Sequence, residues 1–466
     1  MGTLSKKHPG KVRQVIIQTE SHSEQVERLM SAKINELLAT WTRRRFLGTI
    51  AGGTGVTIGP VFFPYLSGAP LDNPATSPVE DRAVVIIQLT GGNDILNTVI
   101  PFMDPAYHRA RPTLRSVAEQ AKPINDYLAF HPAFAPCEEL FQEGVFAIIQ
   151  GVGYPNSSRD HQQALRDWQT AIPGNSMERT GWIGRVCDHL PPESFALAPA
   201  VFVGTMQLPL ALVGGRTIVP TIRRTEDLTH GASVLGPLSG SPESYPASLE
   251  DKRNTAEGEL LEFLRGTAAQ VDRATAKLAK VLERQDKSPR TFRYELQRRL
   301  DVIAAIVQAR VGIRFFYTDL GGPEPGGFDT HANQAENHAA LLAELASGLV
   351  HFYRRIEANG LSHAVLAMTF SEFGRTLQEN GRRGTDHGAA SSVFLLGGSI
   401  KGGLIGEHPS LTDLDQGGLR YHTDFRSLYR TVLEDWLGIP ASPTLGTEPF
   451  AKVPILKSEA VLRPRA

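Results

Sequence analysis

The stretch AVVIIQLTGGND, residues 83–94, sets an almost unbroken apolar run, Ala83 to Leu89, against a glycine-rich turn that ends in an acid. A strand that is apolar at nearly every position, rather than at alternate ones, is covered on both faces, as in a parallel sheet with helices above and below it. The pattern recurs in VFAIIQG from Val145, IRFFYTDL from Ile313, AVLAMTF from Ala364 and SVFLLGG from Ser392. Helical patterns lie between them, notably Ala332 to Asn359 and Asp424 to Leu437, where Asp424 is placed to cap the helix start. Alternating strands and helices predict an α/β fold with a mostly parallel central sheet flanked by helices. Residues 250–312, rich in Leu, Ala, Glu, Lys and Arg, interrupt the rhythm and predict two long helices, an inserted hairpin or a cap. Residues 205–250, heavy in Gly, Pro and Ser, predict long loops.

The 466 residues carry the apolar (41%) and charged (21%) fractions of an ordinary globular chain, which argues against disorder and fibrous structure. A formal net charge of −1 lacks the basic excess that nucleic-acid binding needs. The two cysteines, Cys137 and Cys187, form no metal-binding spacing, and a disulfide between them stays open if the compartment is oxidising. Near the N-terminus, TRRRFLGTIAGG from Thr42 resembles a twin-arginine export signal. The apolar run behind it, to about Ser67, holds five glycines and two prolines, which suits a signal better than a permanent membrane span. Ser67-Gly68-Ala69 offers a cleavage site. The expected plan is a signal region with a long leader over residues 1–69, a Pro/Ser-rich linker over 70–82, and one domain over 83–460 with its helical insertion. The twin-arginine translocase is the expected export partner, and the expected location is periplasmic or extracellular.

Open α/β sheets bind ligands at the carboxyl ends of their strands, and this sequence puts acids and histidines there. Asp94 follows the Ala83 strand, and Asp160 and His161 follow the Val145 strand. Asp329 and His331 follow the Ile313 strand, and Glu372 follows the Ala364 strand. Asp386 and His387 stand just before the Ser392 strand. Carboxylates hold a hard divalent cation, while imidazole adds affinity for zinc, manganese or iron. The expected metal ligands are therefore Asp94, Asp329, His331, Glu372, Asp386 and His387, around zinc, manganese, calcium or magnesium. Each position also has a plainer reading: Asp94 capping its turn, Asp160 or Asp329 capping a helix, His161 or His331 on the surface.

Together VVIIQLTGGNDILNTVIPFMDPAYHRARPTL, GYPNSSRDH, GGFDTHANQ, FSEFGR and DHGAASSVFLLGG resemble the secreted domain-of-unknown-function family 1501, over about Ala83 to Leu437. That family's architecture is similar to the alkaline phosphatase and sulfatase superfamily, whose members hydrolyse phosphate or sulfate esters at one or two metals. The resemblance implies metal-binding roles for Asp94, for Asp329 with His331, for Glu372 and for His387. Phe373 stands where the superfamily pattern has a second ligand histidine, which favours one ion over two. The sulfatase nucleophile motif is absent. NSSRDH supplies Ser158 in its place, with Arg159 as an oxyanion partner, and Asn97 and Thr98 as weaker nucleophile candidates. His161 or His331 would serve as general acid or base, and Arg375 would pair with an oxyanion. The expected function is an exported metal-dependent hydrolase of sulfate or phosphate esters, on a small molecule or a polysaccharide. The alternative is a secreted binding or scaffold protein that keeps the fold without turnover.

Overall fold

A computed structural model describes residues 82–191, 198–223, 276–282, 295–321 and 327–462. The signal region, the linker up to residue 81, most of the 205–250 segment and much of the 250–312 insertion lie outside the described residues. Of that insertion, a helix at 276–282 and the helix Leu296–Gln308 are described.

In chain order the elements that matter are β1 (Ala83–Leu89), β2 (Phe146–Gly153), α1 (His161–Thr170), α2 (Trp182–His189), β3 (Ala200–Val203), β4 (Thr221–Ile222) and α3 (Leu296–Gln308). There follow β5 (Phe315–Leu320), α4 (Gln334–Ala358), β6 (Val365–Phe370), β7 (Arg375–Glu379), β8 (Thr385–His387) and β9 (Ser391–Leu396). The last are β10 (Gly403–Ile405), β11 (Leu414–Asp415), β12 (Gly418–Leu419), β13 (Thr423–Asp424) and α5 (Phe425–Thr431). All five strands expected from their apolar runs form. Asp424 caps α5 by accepting from Arg426 N at 2.9 Å, and a π-helical turn, Val432–Trp436, continues the helix.

The nine-stranded central sheet runs β10-β2-β9-β6-β1-β5-β3-β4, with β13 beside β2. Every pairing is parallel except those of β9, which is antiparallel to both β2 and β6. The mostly parallel α/β sheet is thus as the sequence predicts. Side chains alternate between two cores: Val85, Ile87 and Leu89 pack with α3 and α4, while Val84 and Ile86 pack with α2 and α5. Burial on both faces is why the strands read as continuous apolar runs.

Register then decides where the loops emerge. Gln88 of β1 lies opposite Asp319 of β5 and Phe370 of β6, so these three strands end level. Because β9 runs the other way, its start, Ser391, lies opposite Val152 near the end of β2. Residues that follow β1, β2, β5 and β6, and residues that precede β9, therefore share one edge. This is the physical reason that Asp386 and His387, upstream of their strand, meet groups that lie downstream of theirs.

A second, four-stranded antiparallel sheet, β8-β7-β12-β11, sits at that edge, with Arg375 opposite His387. Arg375 is thus a strand residue and not a solvated helical one. Cys137 and Cys187 are both free and buried, so the disulfide left open by the sequence does not form.

Candidate metal centre

The edge is shaped first by Gly91 and Gly92, at φ of +114° and +82°, a region that side chains rarely tolerate. A Cβ on Gly91 would lie 2.8 Å from Phe328 C, and one on Gly92 would lie 2.6 Å from the Phe373 ring. Their bareness lets the loop after β5 lie against the turn after β1, where Phe328 N donates to Thr90 O at 2.8 Å. Asp329 follows directly.

Arg375 fixes Asp329. Its buried guanidinium donates to Asp329 Oδ1 at 2.7 Å, to Gly92 O at 2.7 Å, to Phe328 O at 2.9 Å, to Thr385 O at 3.0 Å and to Gly91 O. The side chain is 0% exposed, so an incoming oxyanion does not reach it. The anion-binding role expected of Arg375 is corrected to that of an internal strut.

Three imidazoles converge on Asp329. Its Oδ1 lies 3.1 Å from His331 Nε2 and 3.2 Å from His387 Nε2, and its Oδ2 lies 3.5 Å from His161 Nε2. Each ring is held from behind through Nδ1: His161 by Glu372 Oε1 at 3.0 Å, His331 by Asp386 Oδ1 at 3.0 Å, and His387 by Arg159 O at 2.7 Å. A carboxylate or a carbonyl only accepts, so all three Nδ1 atoms donate, and in neutral rings all three Nε2 lone pairs face inward. His331 Nε2 and His387 Nε2 then oppose each other at 2.8 Å beside a carboxylate. Two lone pairs at that distance repel unless a cation lies among them, either a proton or a metal ion.

Ligand atoms of His161, Asp329 and His387 all lie within 4.8 Å of one another, and His331 joins through its contacts to Asp329 and His387. The two nitrogens and one oxygen of His161, His387 and Asp329, each ring backed by an acceptor, form a donor set that suits a single transition-type ion, with His331 beside two of the three. The cluster is open: Asp329 and His161 are 36% exposed, His331 28% and His387 20%. Phe373 is buried and packs its ring 4.9 Å from that of His161 and 4.4 Å from that of His387, an apolar wall on one side of the site.

The charges agree with this geometry. Hydrogen bonds to Asp329 and then Glu372 raise His161 to about 9. Burial raises the Asp329 carboxyl, but bonds from His161, His387 and Arg375 outweigh it and leave it well below the usual carboxylate range. Asp386 is lowered by its bond from Asn380 and, against partial burial, by His331 and by the charge of Arg382.

Several expected roles shift. Glu372 is buried, accepts from Gly91 N at 2.8 Å and backs His161, while Asp386 backs His331. Both support histidines in this arrangement. His161, expected as acid or base, stands among the groups that face Asp329, because Asp160 caps α1 at Gln163 N and sets His161 at its first turn. Asp94 stands elsewhere: it is buried, its two oxygens accept from Arg111 at 2.6 and 2.9 Å, and Gln334 Nε2 adds a third bond. Ser158 Oγ accepts from Asp160 N at 3.1 Å in the turn before α1. Asn97 and Thr98 are buried, with Thr98 Oγ1 donating to Asp94 O at 2.8 Å.

Residues 266–436 match the family described as protein of unknown function (DUF1501). The matched span of DUF1501 holds Asp329, His331, Glu372, Asp386 and His387, while His161 lies before it. No curated protein matches the chain. Solved structures of related shape include the PsFucS1 sulfatase from Pseudoalteromonas sp., at 10% identity, covering 82% of this chain and 73% of that one with a TM-score of 0.39. The lipoteichoic acid synthase LtaP from Listeria monocytogenes gives 9%, 88%, 79% and 0.37. The C-terminal periplasmic domain of EcEptC from Escherichia coli, in complex with Zn, gives 10%, 68%, 72% and 0.30. No residue of this chain takes a role from them.

Sequence reasoning missed that Arg159 positions the site. Its guanidinium donates to Asp415 O at 2.7 Å and to Gln416 Oε1, in the β11–β12 hairpin, while its carbonyl orients His387. The oxyanion role expected of Arg159 is corrected accordingly. The hairpin also joins β7, through Thr376 opposite Gly418, so Arg159 ties the loop bearing His161 to the sheet bearing His387. Arg159→Ala is expected to weaken metal binding by about 10- to 100-fold, as loss of groups behind metal ligands does. Competition with a chromophoric chelator measures it, and unchanged affinity in a folded variant would refute this role.

Proposed function

We propose that this chain is an exported, single-metal hydrolase of sulfate or phosphate esters. The observation that supports this most is the accessible group of His161, Asp329 and His387, whose ligand atoms lie within 4.8 Å of one another, with His331 Nε2 3.1 Å from Asp329 and 2.8 Å from His387 Nε2. The metal would be held by His161, His331, His387 and Asp329, with Glu372, Asp386 and the Arg159 carbonyl fixing the three rings. Such a nitrogen-rich set suits zinc, manganese or iron and argues against calcium and magnesium, which prefer oxygen ligands. Once bound, such an ion supplies Lewis acidity toward the ester oxygen and lowers the pKa of water.

The chain's own groups would do the rest. Arg375 and the Gly91–Gly92 turn hold Asp329 in place, and Phe373 keeps water from one side of the imidazoles. Ser158 Oγ accepts from Asp160 N and has no bond to a cluster histidine among the described residues, so this reading takes water as the nucleophile. Among the described residues no helix is long and apolar enough to cross a membrane.

A binding protein is the second reading, favoured by the lack of an activated serine at the cluster. Turnover of 4-nitrophenyl sulfate and 4-nitrophenyl phosphate separates the two. The hydrolase reading expects one of these esters to be cleaved by protein loaded with zinc, manganese or iron, and cleavage to stop on chelation. Metal bound with no cleavage of either, or of a sulfated or phosphorylated oligosaccharide, would overturn it in favour of the binding protein.

A further inference from the structure

A multiply charged ester carries anionic groups beyond the one at the metal, and the two arginines that the sequence offered for an anion are both tied into the fold. Arg375 is 0% exposed and bonded inside the fold, and Arg159 is held by Asp415 and Gln416. The turn between β7 and β8 carries two others. Arg382 and Arg383 are exposed, and their side chains make no hydrogen bond or ion pair among the described residues.

That turn is built onto the metal-facing segment. Arg382 O accepts from Asn333 N and Arg383 O from Gln334 N, both at 3.0 Å. Asn380 Nδ2 donates to His331 O and to Asp386 Oδ1, both at 3.0 Å, while Asn380 Oδ1 accepts from Arg382 N at 2.9 Å. Gly384 closes the turn so tightly that a Cβ there would lie 2.5 Å from His331 O. The turn therefore cannot move without moving His331 and Asp386. Arg383 holds a left-handed φ of +59°, where glycine would sit at less cost. Arg382 is near enough to Asp386 for its charge to be felt there.

We infer that the turn Asn380–Gly384 is an anion subsite in which Arg382 and Arg383 receive a second sulfate or phosphate group of a multiply charged oligosaccharide substrate. Guanidinium groups suit this task, because their planar forks match the oxygens of both anions. The hydrolase reading supplies the substrate class, but the subsite is tested by binding alone.

The probe is a fluorescently labelled dextran sulfate oligomer, with neutral dextran of equal length as control and a phosphorylated dextran as a second arm. Anisotropy titrations at low salt are expected to show binding of at least one charged oligomer and none of the neutral one. Raising the salt should weaken that binding, as screening of exposed charges requires. Arg382→Gln/Arg383→Gln is expected to weaken it at least tenfold, with metal content and melting temperature unchanged. Preference for the sulfated or the phosphorylated oligomer assigns the anion.

Equal binding by the double variant, or equal binding of neutral and charged dextran, overturns the subsite. So does absence of binding by the unaltered protein. Asp329→Ala separates the two readings. Arginine-dependent binding that persists without metal or turnover supports the subsite even if the hydrolase reading has failed. Turnover that persists with the arginines replaced and oligomer binding unchanged refutes the subsite alone.

Discussion

Asp329→Ala is expected to lose bound metal, with affinity falling by more than about 100-fold, while the protein stays folded. Replacing a group behind a ligand costs about 10- to 100-fold in metal affinity, and removing a ligand costs more. Among the described residues Asp329 is the one carboxylate near all three Nε2 atoms, so its loss takes away the negative charge that they share. The fold should tolerate this. Asp329 is 36% exposed, so its truncation leaves no cavity in the core, although it removes the carboxylate paired with the buried Arg375. Arg375 keeps its four backbone acceptors. Elemental mass spectrometry on protein purified without chelator should find about one equivalent in the unaltered chain and none in the variant, beside similar melting curves. Equal metal in both would sink the cluster as a metal centre and leave a shared proton to reconcile His331 with His387.

Much of this site was legible in the sequence because strand ends can be read without tertiary contacts. A run such as Val365–Phe370 announces its strand, and whatever follows it must emerge at the carboxyl edge. Asp329 and His331 were placed at the edge in this way, and His387 by its position just before the Ser392 strand. Roles within the edge were less legible, because they depend on which atom of each side chain is already taken. Glu372 and Asp94 both follow strands and both carry a carboxylate. One is bonded to His161 and the other to Arg111, whose partnership spans 17 positions without any periodic signal. Arg159 acts through its backbone carbonyl, which no side-chain pattern reveals. Arg375 looked available because an arginine just past a strand reads as exposed. The second sheet that buries it is built from strands of two to five residues, too short to announce themselves.

The contrast between Asp94 and Asp329 yields the second large effect, with the opposite pattern. Arg111→Met is expected to destabilise the fold by about 3–5 kcal/mol, because it strands a buried carboxylate whose desolvation the guanidinium had offset. In the unaltered protein, burial raises the Asp94 carboxyl, but the charge and hydrogen bonds of Arg111 outweigh it, and the folded-state pKa lies below the ordinary value near 3.8. Asp94 therefore contributes its full stability above about pH 4, the unfolded range, and loses it as acid carries the pH down through the lowered folded value. In Arg111→Met the largest lowering causes are gone and the bond from Gln334 is left against burial; the folded pKa rises, and the penalty fades as falling pH neutralises the carboxyl. The gap in stability between the two proteins should thus be widest near neutral pH and narrow on acidification, as denaturant titrations at several pH values would show. Asp94→Leu/Arg111→Met should recover much of the loss, since an apolar pair of fitting size often replaces a buried ion pair at little cost. Metal content of the folded fraction should stay at that of the unaltered chain throughout, because Asp94 lies outside the group that faces Asp329. An Asp94→Leu protein that keeps its stability but loses its metal would instead return Asp94 to the ligands, as its place after β1 first suggested.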